Sequence, residues 1–291
     1  MTYPEPVTGA GAARDCLGVI HIPKSGGVAL RSALTHLEVA YTGPLYFDHP
    51  YFGLSDYVWS TPSPNRETIA ATVDLQSVVA NHCAVIGHHS GPQLLAAGCN
   101  ALAVQLREPR SRLLSLYRYW QSQPRSVLEG WGRWGSSVVA RAISPFHDFL
   151  SHPDVWPATD NLLARQTLGL YTSSGPALLR RQRLSRAYRV ILHERPFIAE
   201  WNSSSDRFLE RICERLGIET VPPIGRDNVT DVVGDQQVLD AATRRLLDRF
   251  TSVDRLFLDR LCSDRILPSR SHRDLDSDFE LTADRLHFTI K

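Results

Sequence analysis

Residues 16–37 run Cys16-Leu17-Gly18-Val19-Ile20-His21-Ile22, then Pro23-Lys24-Ser25-Gly26-Gly27, then Val28 to Leu37. The first seven residues are nearly all apolar and of strand length. Proline and the glycine pair break the run. Val28, Leu30 or Arg31, Leu34 and Leu37 then recur at helical spacing. A strand, a glycine turn and a helix form an arrangement suited to phosphate. Glycines let several backbone N–H groups face one anion. The helix start adds unsatisfied donors and about half a positive charge. Lys24 adds a mobile full charge. This lysine precedes the glycine pair, whereas the NTPase loop places its lysine after the second glycine and follows it with Ser or Thr. That order disfavours a nucleoside-triphosphate kinase. The turn taken alone suits an ordinary strand-to-helix connection equally well, so its neighbours have to decide. Gly9-Ala10-Gly11 precedes the strand and reads as linker.

Working outward, strands and helices alternate. Cys83 to Ile86 reads as a second buried strand ending in Gly87-His88-His89. Gln93–Ala97 reads as a short helix and Ala101–Leu106 as a third strand. A helix follows from Pro109 to about Trp120, since proline suits a first helical position. Residues 67–81 and 196–216, the latter capped by Gly217, also read as helices, as do 235–262. Tyr188 to Leu192 reads as a fourth strand. Residues 40–66 hold seven aromatic side chains among Pro, Gly and Asp and read as a long loop. This order predicts an α/β fold, a central parallel sheet flanked by helices, with a largely helical C-terminal half. The expected division is a lead-in at 1–15, one domain at 16–262 and a charged C-terminal tail at 263–291.

Ligands of such sheets bind outside the carboxyl ends of the strands. Three polar clusters fall there: Lys24 to Gly27, His88 with His89, and Arg107. In the run Arg107-Glu108-Pro109-Arg110-Ser111-Arg112-Leu113-Leu114-Ser115, Leu113, Leu116 or Tyr117, and Trp120 make the buried stripe. Ser115 falls on the other side, with Ser111, Arg112 and Tyr119 as helical neighbours. An arginine fork with a hydroxyl suits a phosphate dianion. An arginine-rich solvated helix would read the same way in this chain.

Composition narrows the classes further. The chain has 291 residues and a formal net charge of +1, which argues against broad coating of nucleic acid. Of 32 Lys plus Arg, only Lys24 and Lys291 are lysine, leaving 30 arginines, an excess read as background composition. Cys16, Cys83, Cys99, Cys213 and Cys262 are widely spaced and form no CxxC, so neither a disulfide framework nor a zinc site is expected. The N-terminus lacks a signal-peptide pattern, and no apolar run approaches the roughly 20 residues that span a bilayer. A cytoplasmic location with no transmembrane segment is expected.

Together these segments resemble the sulfotransferases that use 3′-phosphoadenosine 5′-phosphosulfate (PAPS), above all the carbohydrate type that includes heparan sulfate 2-O-sulfotransferase. His21-Ile22-Pro23-Lys24-Ser25-Gly26-Gly27 is similar to that family's 5′-phosphosulfate loop. Arg107 through Ser115 is similar to its 3′-phosphate motif, and Gly87-His88 to its Gly-His base. Weaker echoes are Asn161 to Gln166, His193-Glu194-Arg195 and Arg226-Asp227-Asn228-Val229-Thr230. The family usually has threonine at Ser25, and hydroxyl residues where this chain has Val28 and Ala29.

The resemblance implies a P-loop-like sulfotransferase fold and transfer of a sulfuryl group to a hydroxyl of a carbohydrate or glycoconjugate. It implies PAPS as co-substrate, no metal and no nucleic-acid partner. Lys24 would neutralise the bridging oxygen, and Ser25, Gly26, Gly27, Val28 and Ala29 would hold the 5′-phosphosulfate. Arg107 and Ser115 would hold the 3′-phosphate, and Arg226 and Asn228 would close over the nucleotide. His88 would be the base, with His89 as its substitute. The alternatives are a sulfotransferase for small-molecule or lipid hydroxyls and a non-catalytic nucleotide-binding protein that keeps the fold. Arg180, Arg181, Arg183, Arg186 and Arg189 read as a solvated helix face. Glu129, Trp131 and Trp134 are candidates for the acceptor border.

Overall fold

The computed structural model describes residues 15–26, 29–30, 32–34, 45–47, 75–124, 126, 144–170, 181–192, 196–224 and 235–291. Gly27, Val28, Arg226, Asn228, Glu129, Trp131, Trp134, Arg180 and the His193-Glu194-Arg195 echo lie outside them, as do most of the aromatic loop and the side chains of Arg181 and Arg183.

Five strands form one parallel sheet: β1 (Leu17–Ile20), β2 (Leu45–Phe47), β3 (Ala84–Gly87), β4 (Ala101–Leu106) and β5 (Phe197–Trp201). Their order is β2-β3-β1-β4-β5. β1 is central, with Leu17 beside both Ala84 and Ala101. Alternation of side chains assigns the two faces. Leu17, Val19, Ala84, Ile86, Ala101 and Ala103 share one core cluster with Leu30, Ala33 and Leu34 of helix α1 (29–30 and 32–34). Ile20, Val85, Leu102, Val104 and Leu106 join a larger cluster on the opposite face. That face carries α2 (Leu75–Asn81), α3 (Gly91–Ala97) and α4 (Pro109–Ser122). Gly18 lets α3 come close, since a Cβ there would lie 2.9 Å from Leu94. Ser90 and Gln93 form a capping box at the start of α3, and Gly98 ends it in the left-handed conformation.

The C-terminal half is largely helical. It contains α5 (Phe146–Ser151), α6 (Trp156–Thr159), α7 (Leu162–Leu168), α8 (Arg181–Leu192), α9 (Ser205–Leu216) and α10 (Ala241–Ser263). α9 presses Phe208, Leu209, Ile212 and Cys213 onto the same face as α1. Tyr188 to Leu192, expected as a strand, is the last part of α8. Leu184, Tyr188, Ile191 and Leu192 are buried while Ser185, Arg186, Arg189 and Val190 are exposed, a helical period that a five-residue window conceals. The fifth strand comes from the start of the segment expected as helix 196–216. Leu45–Phe47, within the expected aromatic loop, is an edge strand. Gln237–Leu239, expected in a helix, is strand β6, and α10 begins after the Asp240 cap.

The charged segment after Ser263 is ordered by packing. It forms α11 (His272–Arg285) and β7 (Phe288–Ile290), and β7 pairs in parallel with β6. Phe279, Leu286 and Phe288 are buried, each contributing about 1.5–3 kcal/mol. Phe288 meets the ring of Phe146 at 5.2 Å, and Tyr117 of α4 meets Phe146 and Phe149 at 5.0 Å. Among the described residues no helix is long and apolar enough to cross a membrane.

Candidate anion site at the strand ends

β1 and β4 are neighbours whose onward connections lead to opposite sides of the sheet, through β2 and through β5. Their carboxyl ends therefore form a topological switch point, the place where ligands of such sheets bind. The turn 23–26 follows β1 there. Lys24 has φ 68°, in the left-handed region that costs a non-glycine residue about 1–2 kcal/mol. Gly26 has φ 94°, and a Cβ on it would lie 2.4 Å from Gln105 Oε1. Only glycine lets the turn rest against β4 at that point. Gln105 is held from below, its Nε2 donating to Ser205 Oγ at 2.6 Å.

Arg107 leaves the end of β4, and its Nη1 donates to the Lys24 carbonyl at 3.2 Å. This bond joins the lysine turn to the arginine segment across 83 residues of sequence. The Lys24 ammonium lies 4.3 Å from the centre of the Tyr119 ring on α4. Burial, then the charges of Arg107 and Arg285, lower the Lys24 pKa to about 8. Burial and Arg285 bring Arg107 down to about 10, against the opposing pull of Glu108. Lys24 and Arg107 thus lie together at the strand ends, and the charge of Arg285 acts on both.

The other arginines of the segment serve the fold. Arg110 is paired with Glu108 at 2.8 Å and Asp276 at 2.7 Å. Arg112 is fully buried and donates to the carbonyls of Ala158 and Thr159 at the end of α6. Arg118 is fully buried and holds the carbonyls of Leu286, His287 and Asp235. Arg107 makes no ion pair among the described residues. The start of α4 is itself occupied, because the Glu108 carboxylate accepts from Ser111 N at 2.6 Å. The first turn of α4 thus has a carboxylate of its own as anionic partner. Ser115 is buried on α4, one turn beyond Ser111.

The histidines come from β3. His21 N donates to Gly87 O at 2.6 Å, extending the β1–β3 ladder by one step. The His88 ring then stacks on His21 with centroids 4.4 Å apart and planes 19° apart. Gln166 of α7 donates to His21 O at 3.0 Å. Thus Gly87-His88 and Gln166, from the Asn161 to Gln166 echo, meet the residue that starts the lysine turn. His89 is buried as well. Ser25 lies in the turn, but its side chain is buried beneath it, in a small gap shared with Leu30, Gln105 and Phe208. Its hydroxyl has no hydrogen-bond partner among the described residues. Ala29 is the first described residue of α1 and is half-buried. Asn161 serves the fold: it has φ 48°, and its Oδ1 accepts from Val253 N and Asp254 N of α10.

Sequence reasoning missed Tyr119 as the residue beneath the lysine, Gln105 as the support of the turn, and Arg285 as a third cation. No spacing rule points to Arg285, since only the packing of α11 along α4 brings it near. Among the described residues no group of three or more His, Cys, Asp or Glu side chains is placed to hold a metal ion. Comparison with family models, with curated proteins and with solved structures gives no match for this chain.

Proposed function

We propose that the chain is a PAPS-dependent sulfotransferase of P-loop-like fold that acts on a hydroxyl of a carbohydrate or glycoconjugate. The reading is carried by one contact, the hydrogen bond from Arg107 to the Lys24 carbonyl. It joins the two segments that resemble the 5′-phosphosulfate and 3′-phosphate motifs, at the carboxyl ends of adjoining strands. The stacked His21–His88 pair beside the same turn supports it.

Sulfuryl transfer depends on positioning and charge neutralisation. In the proposed reaction the acceptor oxygen forms a bond to sulfur as the bond from sulfur to the phosphate oxygen breaks. Lys24 balances the charge that develops on the leaving oxygen. His88 takes the acceptor's proton, since a neutral imidazole nitrogen can act as a general base. Arg107 and Ser115 hold the 3′-phosphate and so select donors that carry one.

The test is thermal unfolding with adenosine 3′,5′-bisphosphate, AMP, ADP and ATP. Binding stabilises by about 2.7 kcal/mol at one hundred times Kd. The bisphosphate is expected to give the largest shift. Equal shifts, or none with the bisphosphate, overturn the donor assignment. Turnover of labelled PAPS against a hydroxyl library then identifies the acceptor and separates an enzyme from a binding protein.

A further inference from the structure

α11 lies along α4 in one continuous register. Arg110 pairs with Asp276 at 2.7 Å, Ser111 Oγ donates to Asp278 O at 3.3 Å, and Arg118 Nε donates to Leu286 O at 2.9 Å. These partners are 166, 167 and 168 residues apart, so the two helices run parallel. The register sets Arg285 beside the turn of α4 that holds Arg118 and Tyr119. Tyr119 is the ring beneath the Lys24 ammonium.

Three carboxylates along this seam are engaged by other arginines. Glu108 is paired with Arg110, Asp276 also with Arg110, and Asp278 with Arg270. Arg285 is exposed and, like Arg107, makes no ion pair among the described residues. Its charge acts on both Lys24 and Arg107. Cations from three separate elements brought to one side of α4 suit a multivalent anion.

We propose that Arg285 is the third cation of this site and binds the phosphate or sulfate group of the ligand together with Lys24 and Arg107. The proposal deepens the donor reading above and rests on it for the ligand's identity. It makes α11 part of the binding surface rather than a tail. Arg285 adds to the repulsion among the cations, and a bound anion relieves that repulsion.

Arg285→Gln and Arg285→Lys, made in the full chain, test this by calorimetric titration with adenosine 3′,5′-bisphosphate and, separately, inorganic pyrophosphate. Arg285→Gln is expected to weaken both by about tenfold or more, and Arg285→Lys to retain most of the affinity. A ligand-free readout accompanies them. With only two lysines in the chain, the Lys24 side chain is followed by NMR in ¹³C-lysine-labelled protein. Its pKa should rise in Arg285→Gln. Unligated Arg285→Gln should melt no lower than wild type, whereas an arginine that served only the end of α11 would lower the melt when lost. Wild-type affinity for both anions in Arg285→Gln, or an unmoved Lys24 titration, overturns the proposal. A wild-type chain that binds pyrophosphate but not the bisphosphate, with the loss in Arg285→Gln intact, refutes the donor reading and supports the cation site. Binding of neither anion by wild type overturns both.

Discussion

Lys24 carries its charge where burial and two arginines oppose it, which gives its titration a definite sign. Its folded pKa, about 8, lies below the ordinary 10.5. Between those values the unfolded chain holds a proton that the folded chain has released, so stability gained from this group rises with pH across that window. Lys24→Met should therefore stabilise the unligated protein at pH 7, by about 1–3 kcal/mol. The gap to wild type should close as pH rises from 8 toward 10.5. Urea denaturation of both proteins at pH 7 and pH 9.5 checks this, and a pH-independent gap would contradict it. Lys24→Arg should impair transfer more than donor binding, since a planar fork follows charge onto one leaving oxygen less well than a compact ammonium. Activity and bisphosphate affinity measured on that variant separate the two effects. Arg107→Ala should weaken the bisphosphate far more than AMP, read as the loss of the difference between their thermal shifts. An equal loss for both ligands would leave Arg107 only its contact with the Lys24 carbonyl. The arginine excess gave little guidance to which residues mattered. Arg110, Arg112 and Arg118 prove structural, and that follows from partners far away in sequence.

Among the elements, glycines mark the close approaches. A Cβ on Gly91 would lie 2.3 Å from the Thr167 carbonyl, a backbone atom of α7 with no side-chain freedom to yield. Gly91→Ala should cost about 1–3 kcal/mol by wedging α3 from α7, measured by denaturant midpoint. The three inner strands were legible because each is a short apolar run cut off by glycine, proline or histidine. Strand Ala101–Leu106 has the bounds expected from sequence. β5 was not legible. Its Phe197–Trp201 run precedes the amphipathic period of α9 without a glycine or proline between them, so the two elements read as one helix. Tyr188 to Leu192 misled in the opposite direction, because β-branched and aromatic residues favour strands until Leu184 is included in the pattern. For the site, the strand-end clusters were visible because parallel topology fixes where carboxyl ends fall. The supports Gln105 and Tyr119 were not, since each is defined by what packs over it.

At the scale of the whole molecule, the helix beside the strand-end site and the edge of the sheet are held by distant parts of the chain. β5 is an edge strand, and the C-terminal segment reaches it: Trp201 Nε1 donates to Pro268 O at 2.7 Å, and the Arg270 guanidinium lies 5.4 Å from the Trp201 ring. Removing residues 264–291 would strip this contact, bare the α4 face and leave the buried Arg118 without the Leu286 and His287 carbonyls. A hydrogen bond to a charged group is worth about 1.5–3 kcal/mol, and a buried guanidinium left short of acceptors loses at least that. The shortened chain should lose its cooperative thermal transition, and a wild-type melt would contradict this. The register between α4 and α11 also has a meaning in time. Arg118 must wait for carbonyls made 168 and 169 residues later. During synthesis the sheet core up to β4 can collapse well before its arginine-bearing helix finds those acceptors. Competence to bind an anion should therefore lag behind sheet formation when the chain refolds, as the last property the molecule acquires.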